Sequence, residues 1–143
     1  MEWQEVAESF MGDGALRDFY IFDATIQTWQ AVIDAVRSTY SIVLHREGTI
    51  PTDVRDLLNP ESRTMLTVDP GRLDINCHFF SETTIEFDLL PNRITSQVEL
   101  DQVCEFVMLI GRAARKDAIL TMENCIEDVI LRYDARMDAV SAA

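Results

Sequence analysis

Two stretches of this chain carry apolar residues at the three- and four-residue spacing of an amphipathic helix. The stripe of the first is Ile26, Trp29, Val32, Ile33 and Val36, and that of the second is Leu100, Val103, Val107, Ile110 and Ala114. Asp23-Ala24-Thr25 precedes the first stripe and offers side chains that cap a helix. Ser96 and Glu99 form a capping box before the second, in which the serine accepts from the third helical amide. The pattern predicts two main helices, with Trp29 as a core anchor of the first.

Alternation of apolar and polar residues, which is typical of half-buried strands, occurs in three consecutive segments, 64–68, 73–80 and 84–90. Pro70-Gly71 lies between the first two and is a strong turn signal. As a two-residue loop it would place Val68 opposite Leu73, and Leu66 opposite Ile75.

The second turn, at 81–83, predicts the register of the other hairpin. A three-residue loop there pairs Cys77 with Phe87. The same register pairs His78 with Glu86. These segments therefore predict an antiparallel meander in which each strand has one buried face.

Both turns divide the meander into the same two faces. The predicted apolar face holds Leu66, Val68, Leu73, Ile75, Cys77, Phe79, Ile85 and Phe87. The predicted polar, exposed face holds Asp74, Asn76, His78, Glu86 and Asp88.

Weaker patterns complete the expected fold. Strands are predicted at 18–22, 40–45, 118–122 and 129–133, and short helices near the N-terminus and at 53–58. Two strand-helix-strand units, 18–45 and 84–122, permit a split βαβ, ferredoxin-like variant. We expect one α+β domain over 1–143, with an antiparallel or mixed sheet, two main helices on one face, and loose ends at 1–14 and 135–143.

The balance of acidic and basic residues narrows the range of possible functions. With 143 residues and 48% hydrophobic content, the chain suits a single core. It carries 25 Asp and Glu residues against 12 Lys and Arg, a net charge of −13. That excess repels nucleic acid and anionic lipid and permits a basic protein partner. Neither a signal peptide nor a membrane-length apolar run is visible in the sequence, so a cytoplasmic location is expected.

The candidate chemistry centres on His78. An imidazole beside Asp74, Glu86 and Asp88 could bind a divalent metal or act as a base, although an exposed solvated pair explains the same residues. Cys77 cannot pair with His78, because adjacent strand residues point to opposite faces. We therefore predict no catalytic residue, no metal and no cofactor.

The second half of the chain resembles a known group of proteins. The residues that carry the resemblance are 73–80 and 85–88, the helix end Leu109-Ile110-Gly111-Arg112, and the strand 119–124. They are similar to small uncharacterised bacterial proteins of the immunity-protein type. The resemblance implies a protein that neutralises a toxin in the producing cell or its kin.

Charge and resemblance together predict a non-enzymatic acidic binding protein that inhibits a basic toxin or enzyme. Its expected docking residues are Asp74, Asn76, His78, Glu86 and Asp88. Two alternatives stay open: a small metal-assisted enzyme using the same cluster, and a homodimer that buries the open sheet face. Metal analysis addresses the first, and solution mass the second.

Overall fold

The structure is a computed structural model that describes residues 1–143, apart from the side chain of Ser62. Its α-helices are α1 (Trp3–Val6), α2 (Ile26–Thr39), α3 (Val54–Leu57) and α4 (Gln97–Ala114). Its strands are β1 (Arg17–Ile21), β2 (Ser41–Leu44), β3 (Met65–Asp69), β4 (Ile75–His78), β5 (Ile85–Leu89), β6 (Ala118–Met122), β7 (Cys125–Asp134) and β8 (Ala139–Ala142). Short 3₁₀ helices occupy Ala7–Phe10, Pro60–Ser62 and Pro91–Arg93.

The strands form one antiparallel sheet in the order β2-β3-β4-β5-β1-β6-β7-β8. With two long helices packed on it, this is the predicted α+β class. β5 and β6 are both antiparallel to β1, which lies between them, so β5-α4-β6 is a split βαβ unit. The other unit, β1-α2-β2, encloses three strands and extends the sheet beyond a ferredoxin-like layout.

The core lies between the sheet and the two long helices. Trp29 of α2 is 0% exposed, as predicted, and its Nε1 donates to the Ser81 carbonyl at 3.0 Å. Phe106 of α4 packs edge-on against Phe19 and Phe87, at centroid distances of 5.3 and 5.2 Å. The predicted helical stripes are therefore the surfaces that α2 and α4 bury.

The start of α4 differs in detail from a capping box. The Ser96 side chain accepts from the Val98 amide, the second helical amide, at 3.3 Å, and its hydroxyl donates to Glu99 at 2.5 Å. Further along α4, Gly111 lies against β7. A Cβ at Gly111 would stand 2.1 Å from Cδ1 of Tyr133, so only glycine allows this approach.

One predicted register is confirmed and the other is wrong by two residues. Cys77 pairs with Phe87 and His78 with Glu86. In the β3-β4 hairpin, Val68 pairs with Ile75 rather than Leu73. Gly71, Arg72 and Asp74 adopt positive φ and lengthen the loop beyond Pro70-Gly71. A shift of two residues keeps the paired side chains of β3 and β4 on their predicted faces.

Both terminal segments make contacts that anchor them. The Trp3 amide donates to Oε1 of Gln97 at 2.6 Å, and Val6 and Phe10 are buried. Residues 139–142, where the sequence predicts a loose end, form β8 and pair with β7. Among the described residues, no helix combines the length and apolar character that a membrane crossing requires.

Candidate functional site

Cross-strand pairing places a group of polar side chains on the sheet face opposite α2 and α4. Asp18 pairs with Asp88 and Tyr20 with Glu86, so β1 presents these residues on the same face as β5. We name this surface the polar face; its residues are Asp18, Tyr20, Thr67, Asn76, His78, Glu86 and Asp88. Four of the five predicted docking residues belong to it.

Hydrogen bonds on one half of the polar face converge on Asp88. Thr67 donates to Oδ1 of Asn76 at 2.9 Å, and Asn76 Nδ2 donates to Asp88 Oδ1 at 3.0 Å. The other carboxylate oxygen accepts from His78 Nε2 at 2.5 Å. His45 Nε2 lies 2.5 Å from the Thr67 hydroxyl, which already gives its proton to Asn76, so the imidazole is the donor there. In this network of hydrogen bonds each donor points toward Asp88, and the Asp88 carboxylate is the final acceptor.

Asp88 itself is only 8% exposed, whereas strand alternation predicts an exposed side chain. Asn76 and His78, both on the neighbouring strand β4, satisfy its two oxygens. Asp88 therefore lies beneath the surface and positions Asn76 and His78 through these hydrogen bonds.

The other half of the polar face centres on Asp18, a residue that the sequence analysis did not select. Its Oδ2 accepts from the Tyr20 hydroxyl at 3.1 Å and from the Asn124 amide at 2.8 Å. Asp18 is 4% exposed, and burial raises the pKa of its carboxyl despite these bonds; repulsion from Asp88 and Glu123 adds to the rise. Alternation within β1 could have marked Asp18 and Tyr20, but no sequence signal places β1 next to β5.

Charge on this face is not balanced. Burial raises the pKa of Glu86, and repulsion from Asp18 adds to it. The hydrogen bond to Asp88 raises the pKa of His78, the imidazole that faces these acids. One imidazolium thus stands against the carboxylates of Asp18, Glu86 and Asp88, and the face retains excess negative charge.

Asp74 is the predicted docking residue that lies apart. It stands in the turn before β4 with a φ of 52°, which breaks the alternation used to place it. Its carboxylate forms an ion pair with Arg93 at 3.2 Å, and both side chains are half-exposed. The charge of Asp74 is thereby matched locally.

The chemistry available on the polar face is limited. The Thr67 hydroxyl donates to an amide oxygen of Asn76, and the Tyr20 hydroxyl donates to the carboxylate of Asp18. Cys77 faces the core, and burial raises the pKa of its thiol well above the ordinary value. Within the described residues, no group of three His, Cys, Asp or Glu side chains is arranged to hold a metal ion.

An apolar pocket adjoins the His78 end of the polar face. It has a volume of about 320 Å³, and Pro60, Met65, Phe79 and Phe80 supply its apolar walls. The Phe80 ring is 73% exposed and stacks on His78 with centroids 4.8 Å apart. An exposed aromatic ring therefore borders the acidic surface.

Comparison with known proteins adds no relative. No protein-family model matches the chain, and comparisons with curated proteins and with solved structures gave no match. The similarity to immunity-type proteins over residues 73–124 remains a prediction.

Proposed function

We propose that this protein is a cytoplasmic, non-enzymatic binding protein that inhibits a basic toxin or enzyme by docking on the polar face. The proposal is carried by one observation: Asp18, Glu86 and Asp88 hold negative charge on one surface against the single imidazole of His78. Burial raises the pKa of Asp18 and Glu86, and a cationic side chain from a partner would relieve the repulsion that adds to this rise.

The accessible charges differ from those that the sequence suggests. Asp18 and Asp88 are buried, so they contribute through the field they create. Glu86 is half-buried, and Glu123 is exposed and close enough to Asp18 to affect the pKa of its carboxyl. We therefore assign direct partner contact to Glu86 and Glu123.

Phe80 gives the same surface an apolar anchor. Binding energy in protein interfaces is concentrated in a few large side chains, and aromatic residues are enriched among them. Exposed Phe80 beside the carboxylates suits a partner that presents basic and apolar side chains together. The charges would then govern the rate of association, and Phe80 the rate of dissociation.

The test first identifies a neighbouring reading frame that encodes a basic protein, and then measures binding to that protein. Wild type is compared with Glu86→Lys/Glu123→Lys at low and at physiological ionic strength. We expect the double variant to lower the association rate constant by about tenfold or more at low salt, and the difference to shrink as salt rises. The partner's activity in the same samples reports inhibition.

A charge-matched control separates docking from net charge. Asp56→Lys/Glu105→Lys makes the same change at exposed positions on α3 and α4, away from the polar face. This variant should keep most of the wild-type association rate. If both double variants slow association equally in a verified complex, the polar face is not the docking surface.

A further inference from the structure

A second charged surface lies at the end of the sheet, where β1 ends and β6 begins. It is a cleft of about 530 Å³ between the C-terminus of α4, the end of β7 and the turn before β8. Its lining residues are Phe22, Asp23, Arg115, Lys116, Asp117, Arg132, Ala135 and Arg136. We name this surface the basic cleft.

The basic cleft concentrates cations in a chain that has few. The whole sequence holds 12 Lys and Arg residues and a net charge of −13. Four of those cations line this one cleft, against two carboxylates. The lining of the cleft therefore carries a local excess of positive charge in a protein that is negative as a whole.

Helix capping explains only part of this concentration. Arg115 and Lys116 follow the last turn of α4, where the helix dipole favours positive charge. Arg132 belongs to β7 and Arg136 to the turn that follows it, so neither serves a helix terminus. Three separate chain segments thus direct cations to one place.

These cations have few internal partners. Arg132 Nη1 lies 4.0 Å from Asp117 Oδ2, while Oδ1 of that carboxylate accepts from the Ala135 amide. In the part of the chain that the structure describes, the side chains of Arg115, Lys116 and Arg136 form neither a hydrogen bond nor an ion pair.

Six of the eight arginines outside the cleft are engaged; Arg37 and Arg46 form hydrogen bonds, whereas Arg63 and Arg72 form none within the described residues. Arg17, Arg55, Arg93 and Arg112 each form an ion pair with an aspartate. In a protein with 25 acidic residues, cations that remain unpaired side by side are available to an external anion.

An aromatic ring forms one wall of the basic cleft. Phe22 is 36% exposed and stacks on Tyr20 with centroids 5.5 Å apart and planes 13° from parallel. A ring fixed on one side by another ring offers a rigid surface to a planar group. Cations beside such a ring favour a ligand that joins a negative group to a planar one.

We propose that the basic cleft binds a small phosphate-bearing anion of the nucleotide class, with the phosphates at Arg132 and Arg136 and the base against Phe22. Guanidinium groups match the geometry of phosphate oxygens and bind them with paired hydrogen bonds. The remaining acidic surface repels a long polyanion, whereas screening over about 8 Å at physiological salt lets a small one reach the cleft. The proposal does not rest on partner docking at the polar face.

The test titrates ATP and inorganic tripolyphosphate, without magnesium, into wild-type protein by calorimetry. Arg132→Gln/Arg136→Gln should weaken both ligands by about tenfold or more, since each lost charged hydrogen bond is worth that much. Arg55→Gln/Arg72→Gln removes the same charge outside the cleft and should leave both affinities within about twofold. Phe22→Ala should weaken ATP and leave tripolyphosphate unchanged.

Several results would overturn the proposal. These are no binding of either ligand, equal losses in the two double variants, or adenosine binding as tightly as ATP. ATP affinity that is unchanged in Phe22→Ala would overturn the nucleotide assignment. Thermal unfolding checks that each variant is folded; if Arg132→Gln/Arg136→Gln does not fold, Lys116→Gln/Arg136→Gln carries the same test.

Discussion

Asp88 shows how a single buried carboxylate organises the polar face. It accepts from Asn76 on one side and His78 on the other, and Asn76 in turn holds Thr67. Removal of the carboxylate would leave two donors without their acceptor in a half-buried setting. Reversal of charge at Asp88 would therefore test folding more than docking, which is why the docking variants avoid it.

The His78-Asp88 pair predicts a pH dependence of stability. Because the pKa of His78 is raised in the folded protein above its ordinary 6.5, folding favours the protonated ring. This contribution is complete below about pH 6.5 and is lost as pH rises through the folded pKa. The free energy of unfolding from urea titrations should thus fall as pH rises from about 6 to 9, and His78→Gln should flatten the slope.

The other histidine supplies the control for this measurement. His45 contacts the Thr67 hydroxyl rather than a carboxylate, so His45→Gln removes an imidazole and should leave the contribution of the His78-Asp88 pair to the slope in place. The pKa values of Asp18 and Glu86 are also raised, so their contribution to stability is also lost as pH rises. Their ordinary values are 3.8 and 4.5, so this loss begins at a lower pH than the loss at His78. A wild-type slope that survives in His78→Gln would contradict the assignment to His78.

At the level of single residues, the sequence predicted part of the candidate site. Alternation along β4 and β5 identified Asn76, His78, Glu86 and Asp88 as one surface. It could not reveal Asp18, because contact between β1 and β5 depends on sheet order. It also could not show that Asp88 is buried, since burial depends on the neighbours that cover a side chain.

Helix α4 packs closely against β7 where Gly111 meets Tyr133. Gly111→Ala places a Cβ 2.1 Å from the Tyr133 ring, and the ring is held by a hydrogen bond from its hydroxyl to Asp138 at 2.9 Å. Displacement of a packed ring costs about 1–3 kcal/mol, although alanine favours a helix by about 1 kcal/mol over glycine. We expect a net loss of unfolding free energy, measured by urea denaturation.

Gly12→Ala is the matched change. A Cβ at Gly12 would lie 3.5 Å from Cβ of Asn92, which is an ordinary contact, so this variant should stay close to wild type. If Gly111→Ala unfolds at the same urea concentration as the wild type, the Tyr133 ring moves aside freely.

Elements were predicted better than the connections between them. The apolar stripes identified α2 and α4, because burial of one helical face imposes a period that a sequence displays. The β3-β4 register was not predicted because Arg72 and Asp74 adopt left-handed φ values, which are uncommon for residues other than glycine. β8 escaped because its small residues carry no strong strand signal, and it gains stability from pairing with β7.

For the whole molecule, the net charge of −13 predicts a salt effect on stability. Like charges repel more in the compact fold than in the extended chain, so added salt should raise the midpoint of thermal unfolding. Glu127→Gln/Asp128→Asn removes two exposed carboxylates and should reduce this rise. Scanning calorimetry over a series of potassium chloride concentrations measures both.

A variant with the opposite change sharpens the interpretation. Arg55→Gln/Arg72→Gln increases the negative charge and should enlarge the rise. If both variants respond to salt as wild type does, the effect comes from hydrophobic contacts rather than charge repulsion.

The position of β1 has a consequence for how the molecule assembles. Residues 17–21 pair with 85–89 on one side, and residues 17–20 pair with 119–122 on the other. During synthesis from the N-terminus, this buried strand is made well before either of its partners. Pairing strands that are so distant in sequence costs chain entropy before the new contacts offset it. The two halves of the sheet therefore join late and slowly. Until they do, an unpaired β1 is open to association with other chains, which makes this strand the point where a folding helper would have most effect.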